Sequence, residues 1–217
     1  MEPRRYISHS NGPDRLCINR PEGFGPYSAL SAPIPTSCFV DTVLLPLPIY
    51  IAIVITFVCL PGGTGHVQRE RHGIPRPKMA RPHLITLTIY YLLIVCLVAM
   101  QALEIARLAK LDYGIGLLPF MFVGLLLAAF LHFTEGIEGL VVGWRGLNVF
   151  IWLGTMVMSI VKVVGLHYEG NDRTGSAYPM SDQILDVSVM AGVYAVLIVL
   201  EIVLRRWGNR ITRPRSE

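Results

Sequence analysis

The sequence predicts an all-α integral membrane protein, a bundle of five transmembrane helices. Of its 217 residues, 53% are hydrophobic and only 16% charged. The mean hydropathy of +0.51 lies outside the balance of an ordinary soluble domain. The charges cluster between long apolar runs instead of interrupting them. A hydrocarbon core about 30 Å thick takes about 20 apolar residues, and several runs meet or approach that length. The runs are continuously apolar and lack the period-two alternation of a membrane barrel.

The chain opens with a segment, residues 1–36, that carries Arg4, Arg5, Asp14, Arg15 and Arg20 but no apolar core. Nothing in it resembles a cleaved secretory signal, so the first run is expected to direct insertion. That run is Thr42 to Leu60. The next four are Leu84 to Leu103, Ile115 to Leu131, Leu147 to Leu166 and Ile184 to Leu204, within a bundle spanning 37–206. The third is the shortest. The fourth contains Lys162, and the fifth contains Asp186 near its start and Glu201 near its end, so their edges depend on snorkelling toward the interface. Between the first two runs, residues 61–83 are rich in Gly, Pro and Arg, a composition of extended, solvated chain. A basic tail, 207–217, closes the sequence.

Five spans put the termini on opposite sides, and the basic residues choose between them. One side holds Arg69, Arg71, Arg76, Lys78 and Arg81 of the first loop, Arg145, and Arg205, Arg206, Arg210, Arg213 and Arg215 at the end. The other holds Arg4, Arg5, Arg15, Arg20, Arg107, Lys110 and Arg173. The richer side is expected to be cytosolic, which places the N-terminus outside or in a lumen. The net charge of +4 and isoelectric point near 9.0 therefore reflect topology. No nucleic-acid module accompanies the charge, and no nucleic-acid partner is expected. Membrane lipid is the expected surrounding partner, and the basic loop can also touch anionic headgroups.

Ionisable groups at membrane depth are costly and usually paired, so Glu104, His132, Glu135, Lys162 and Glu201 are the candidates for intramembrane chemistry. His132 and Glu135 stand three apart and can share a helix face, as metal ligands often do. No second ligand pair accompanies them, so an interfacial polar pair is the simpler reading. Lys162 and Glu104 both lie toward the outer side and can pair between helices, fixing register more than stability. A conducting path uses the same residue types but needs several aligned at the midplane. Gly139 and Gly143 have small-xxx-small spacing, and Gly124, Gly154 and Gly192 lie inside spans, where glycine permits close approach within the bundle or against another membrane protein. Trp144, Trp152 and Trp207 suit interfacial or packing roles.

Of the cysteines, Cys59 and Cys96 fall inside apolar spans, where a thiol usually packs as a small side chain. Cys17 and Cys38 fall in or beside the N-terminal segment. Their pairing would close a loop of about 20 residues and add on the order of 3 kcal/mol. On spacing alone, two free thiols remain the other reading.

The stretch Cys17 to Leu45 reads CINRPEGFGPYSALSAPIPTSCFVDTVLL, with PEGFGP at Pro21 to Pro26 and a second cysteine at the mouth of the first span. It resembles the start of the multidrug-resistance-associated (C subfamily) ABC transporters, especially the fungal vacuolar cadmium-factor type. In order follow LEIA at Leu103 to Ala106, LHFTE at Leu131 to Glu135, NVFIW at Asn148 to Trp152, and Leu200 and Glu201 before a basic pair. The later strings are short, whereas the N-terminal block is specific, and together they cover almost the whole chain. The resemblance implies the accessory N-terminal membrane domain of such a transporter, a five-helix bundle with a luminal or extracellular N-terminus. It also implies that Cys17 and Cys38 are joined, and that a vacuolar membrane, or else a plasma membrane, is the home.

The sequence departs from a full transporter by ending at Glu217, without core helices or nucleotide-binding domains. There is no GxxxxGK[ST] phosphate loop: the glycines from Gly62 to Gly65 run into His66 and Val67 and lack the lysine. No catalytic residue, cofactor or metal is expected, and ATP hydrolysis by this chain is not. The expected function is a non-catalytic domain for interaction, targeting or regulation. Its expected partner is an ABC transporter core or another membrane protein, with a homo-oligomer possible. The alternative is a free-standing small transporter or channel formed by oligomerisation of the bundle.

Overall fold

The computed structural model describes residues 16–20, 22–27, 33–63, 81–138, 144–169 and 178–212, with side chains except at 60–63, 134–138, 144–145 and 208–212. The described elements are a short turn of helix α1 (Ser37–Phe39), a π-helical turn (Val40–Leu44), and the helices α2 (Leu47–Gly63), α3 (Arg81–Lys110), α4 (Phe120–Glu138), α5 (Trp144–Glu169) and α6 (Met180–Thr212). Each of the five predicted runs contains a helix. Four stretches are long and apolar enough to cross a membrane: Ser37–Cys59, Arg81–Lys110, Gly146–Glu169 and Met180–Trp207. At 1.5 Å per residue, α3 is about 45 Å long and α4 only about 28 Å.

The π-helical turn has a local cause. Pro46 has no N–H, so the Thr42 carbonyl lacks its usual intrahelical donor. The chain widens instead, with Leu45 N–H donating to the Val40 carbonyl at 2.8 Å. The Leu117 N–H, from the turn before α4, donates to the Thr42 carbonyl at 3.0 Å. That turn explains where the third span begins. Asp112, Gly114 and Gly116 all have positive φ, so no helix can pass through them, and α4 starts after Pro119 and not at Ile115. Leu118 is fully buried and Ile115 packs on the core. Hydropathy counted them as membrane span because packing on the bundle core makes the same apolar demand.

Around the bundle the order is α2, α5, α6, α3, α4, with α4 also packing on both α2 and α5. Buried positions recur at alternating spacings of four and three residues. On α3 they are Tyr90, Ile94, Leu97, Gln101, Glu104 and Leu108. On α6 the series runs Gln183, Val187, Met190, Tyr194, Leu197, Glu201 and Leu204. This spacing suits shallow, left-handed crossings of about 20°. Leu92, Val95, Phe130, Leu153, Val196 and Val199 point outward, so the outer face is apolar, consistent with lipid contact, while several interior positions are polar. Contacts at both ends fix the directions of the helices. Ser37 meets Glu169, and Arg107 meets Asp186; His83 lies beside Trp207 and His132 beside Tyr91. The N-terminal segment and the last turns of α6 therefore lie at opposite ends.

Candidate functional site

The polar interior is concentrated at the end that carries the Cys17–Cys38 disulfide, whose Cα atoms are 6.4 Å apart. Each cysteine precedes a charged residue by three positions, Arg20 and Asp41, so the covalent link brings those two charges to one place. The Arg20 guanidinium ion-pairs with Asp41, lies 3.7 Å from Glu22 Oε1, and donates to Ser37 Oγ at 2.7 Å. Ser37 Oγ donates in turn to Glu22 Oε1 at 2.7 Å, and the Ser37 amide donates to Glu169 Oε1 at 2.6 Å. The Arg20 cation also lies 5.7 Å from the centre of the Tyr113 ring. Burial works against the Arg20 charge, but Asp41 and Glu22 outweigh it and hold the guanidinium above its ordinary pKa.

Deeper in the bundle Lys162 bridges two carboxylates. Its Nζ lies 2.6 Å from Asp41 Oδ1 and 2.9 Å from Glu104 Oε1, and the lysine side chain is completely buried. Glu104 also accepts from Gln183 Nε2 at 3.0 Å and from the Tyr178 hydroxyl. Tyr178 reaches Asp186, which ion-pairs with Arg107 at the rim, where the two side chains are 46% and 35% exposed. Burial first, and the Glu104 carboxylate second, push the Tyr178 phenol well above its usual pKa. The whole forms one chain of contacts from Glu169 through Ser37, Arg20, Asp41, Lys162 and Glu104 to Arg107. It joins the N-terminal segment, the start of α2 and the ends of α3, α5 and α6.

At the opposite end a smaller cluster surrounds His132. Its Nδ1 is 3.1 Å from the Tyr91 hydroxyl, and its ring centre is 4.4 Å from that of Tyr90. Glu201 is buried beside Tyr90 in the same cluster. Trp152 stacks near Tyr194 at 6.2 Å between ring centres.

The structure thus brings Cys17 to Cys38 and Lys162 to Glu104, and it places Glu201 and His132 in the second cluster. The Glu135 side chain, Gly139, Gly143, Arg69, Arg71, Arg76 and Lys78 lie outside what is described. Among the described residues no group of His, Cys, Asp and Glu is placed to hold a metal ion. Arg81, Arg205 and Arg206 are exposed at the second end. Sequence reading missed Asp41, Glu22, Glu169, Tyr178 and Gln183 as partners, and took Arg20 and Arg107 only as topological charges. The available signal was the matched spacing of Arg20 and Asp41 from the two cysteines.

Neither protein-family profiles, curated proteins nor solved structures give a match to this chain. The site's meaning therefore rests on its own geometry. Arg20 and Lys162 are cations, and Asp41 and Glu104 are anions that hold them directly. Ion pairs matched in this way are suited to locking helices in place.

Proposed function

We propose that the chain is a non-catalytic accessory membrane domain that docks on, targets or regulates an ABC transporter of the C subfamily. The observation that carries this reading is the closed end of the bundle. The Cys17 to Leu45 block, where the sequence resemblance is most specific, is stapled by its two cysteines and fastened by Arg20 and Asp41 to α5 through Lys162. Charges used up in fixing a shape leave the lipid-facing surface as the working surface. In this reading the disulfide end is luminal or extracellular, the arginine-rich end is cytosolic by the positive-inside rule, and the membrane is vacuolar.

Affinity purification of the tagged chain in mild detergent, with mass spectrometry and a blank-membrane control, tests it. Stoichiometric recovery of a transporter core supports docking. Recovery of the chain alone, as a monomer or defined oligomer, overturns obligate docking. It would favour the reading as a small transporter, for which the buried Thr155, Ser159 and Lys162 on one face of α5 are the supporting observation. Ion flux in liposomes that is lost in Glu104→Gln/Lys162→Gln while folding is retained would establish that second reading.

A further inference from the structure

At the disulfide end, Arg20 and Arg107 are both neutralised by carboxylates. The opposite end is different. Arg81, Arg205 and Arg206 are exposed, and none forms an ion pair among the described residues. The antiparallel packing of α3 on α6 gathers them. The His83 and Trp207 ring centres are 6.3 Å apart, so the first turn of α3, with Arg81, and the end of α6, with Arg205 and Arg206, share one corner. The first turn of α3 has no acidic residue, and the Glu201 carboxylate, one turn before Arg205, is buried against Tyr90. His83 Nδ1 is buried at this corner without a hydrogen-bond partner among the described residues.

Next to this positive corner the surface turns apolar. Leu84, Ile85, Val199 and Ile202 are 56%, 60%, 58% and 41% exposed. A cationic corner beside bare aliphatic surface, with an indole at the boundary, matches the order of a phospholipid from head to tail. We propose that this corner binds an anionic phospholipid. Arg81, Arg205 and Arg206 hold its headgroup phosphate, and the acyl chains lie along Leu84, Ile85, Val199 and Ile202. The site is independent of whether the domain docks on a transporter.

Native mass spectrometry of the full chain from mixed micelles of phosphatidylglycerol and phosphatidylcholine tests it. The expected result is selective retention of phosphatidylglycerol, falling about fivefold for each arginine changed to glutamine and disappearing in Arg81→Gln/Arg205→Gln/Arg206→Gln. The triple lysine variant should keep most of the selectivity, as should Arg107→Gln at the far end. Equal retention of the two lipids by the unaltered chain would overturn the proposal, as would full selectivity in the triple glutamine variant. Loss of selectivity in millimolar inorganic phosphate would assign the corner to a free anion and overturn the lipid assignment. All three arginines are exposed, and a thermal melt of each variant confirms that folding is intact.

Discussion

At the scale of single residues, Lys162 decides most. Its side chain is completely buried, and two carboxylates hold it at 2.6 and 2.9 Å. Removing one partner of such a cluster leaves uncompensated charge, a loss of about 3–5 kcal/mol, whereas replacing all members by well-packed apolar groups can cost little. Lys162→Met should therefore lower the melting temperature in detergent sharply, and Glu104→Gln/Lys162→Met should recover part of the loss, because Asp41 keeps Arg20 as its partner. A double variant no more stable than the single would refute this account. Tyr178 adds a pH dependence of known sign. Because the folded chain holds its phenol protonated well above the ordinary value, the associated stability is intact below a pH of about 10 and declines as pH rises beyond it. Tyr178→Phe should flatten the alkaline limb of a stability profile, and an unchanged limb would count against the role given to the Glu104 contact.

Among whole elements, glycines report which helix faces are in contact. A Cβ on Gly154 would come within 2.6 Å of Pro48 Cβ, whose ring cannot rotate away, while one on Gly192 would meet nothing within 4 Å. Gly154→Ala should push α5 off α2 and destabilise by about 1–3 kcal/mol. Gly192→Ala should be neutral or stabilise slightly through helix propensity. Equal melting temperatures for the two variants would mean that α2 and α5 do not meet as described. The turn before α4 is tighter still: at Gly116, φ is +41° and a Cβ would lie 2.5 Å from Thr42 Cβ. Hydropathy saw Ile115 to Leu131 as one continuous span because it registers apolarity and not φ. The sequence did contain the warning, in two glycines followed by Pro119.

Over the whole molecule, the disulfide and the ion pairs act on the same parts. Cys17→Ser/Cys38→Ser frees the N-terminal segment from the bundle, and Arg20 must then find Asp41 without help. The expected loss is about 3 kcal/mol from chain entropy, with increased protease cleavage near Cys17. A variant as stable and as resistant as the parent would show that the ion pairs alone hold the segment.

Sequence by itself determined the helical membrane class and located five apolar runs, four of which hold helices long enough to cross a membrane, because hydropathy is a property of short windows; the cost of buried charge offered Glu104 as one candidate partner for Lys162 without fixing the pair. It located the two cysteines but left their pairing to resemblance. Only the tertiary structure decided that Asp41 sits between Arg20 and Lys162, that Tyr178 and Gln183 close around Glu104, and that α4 begins late. These depend on which faces of distant helices meet. A residue such as Asp41, alone at the mouth of a span, has the same local pattern whether it faces water, lipid or a buried cation.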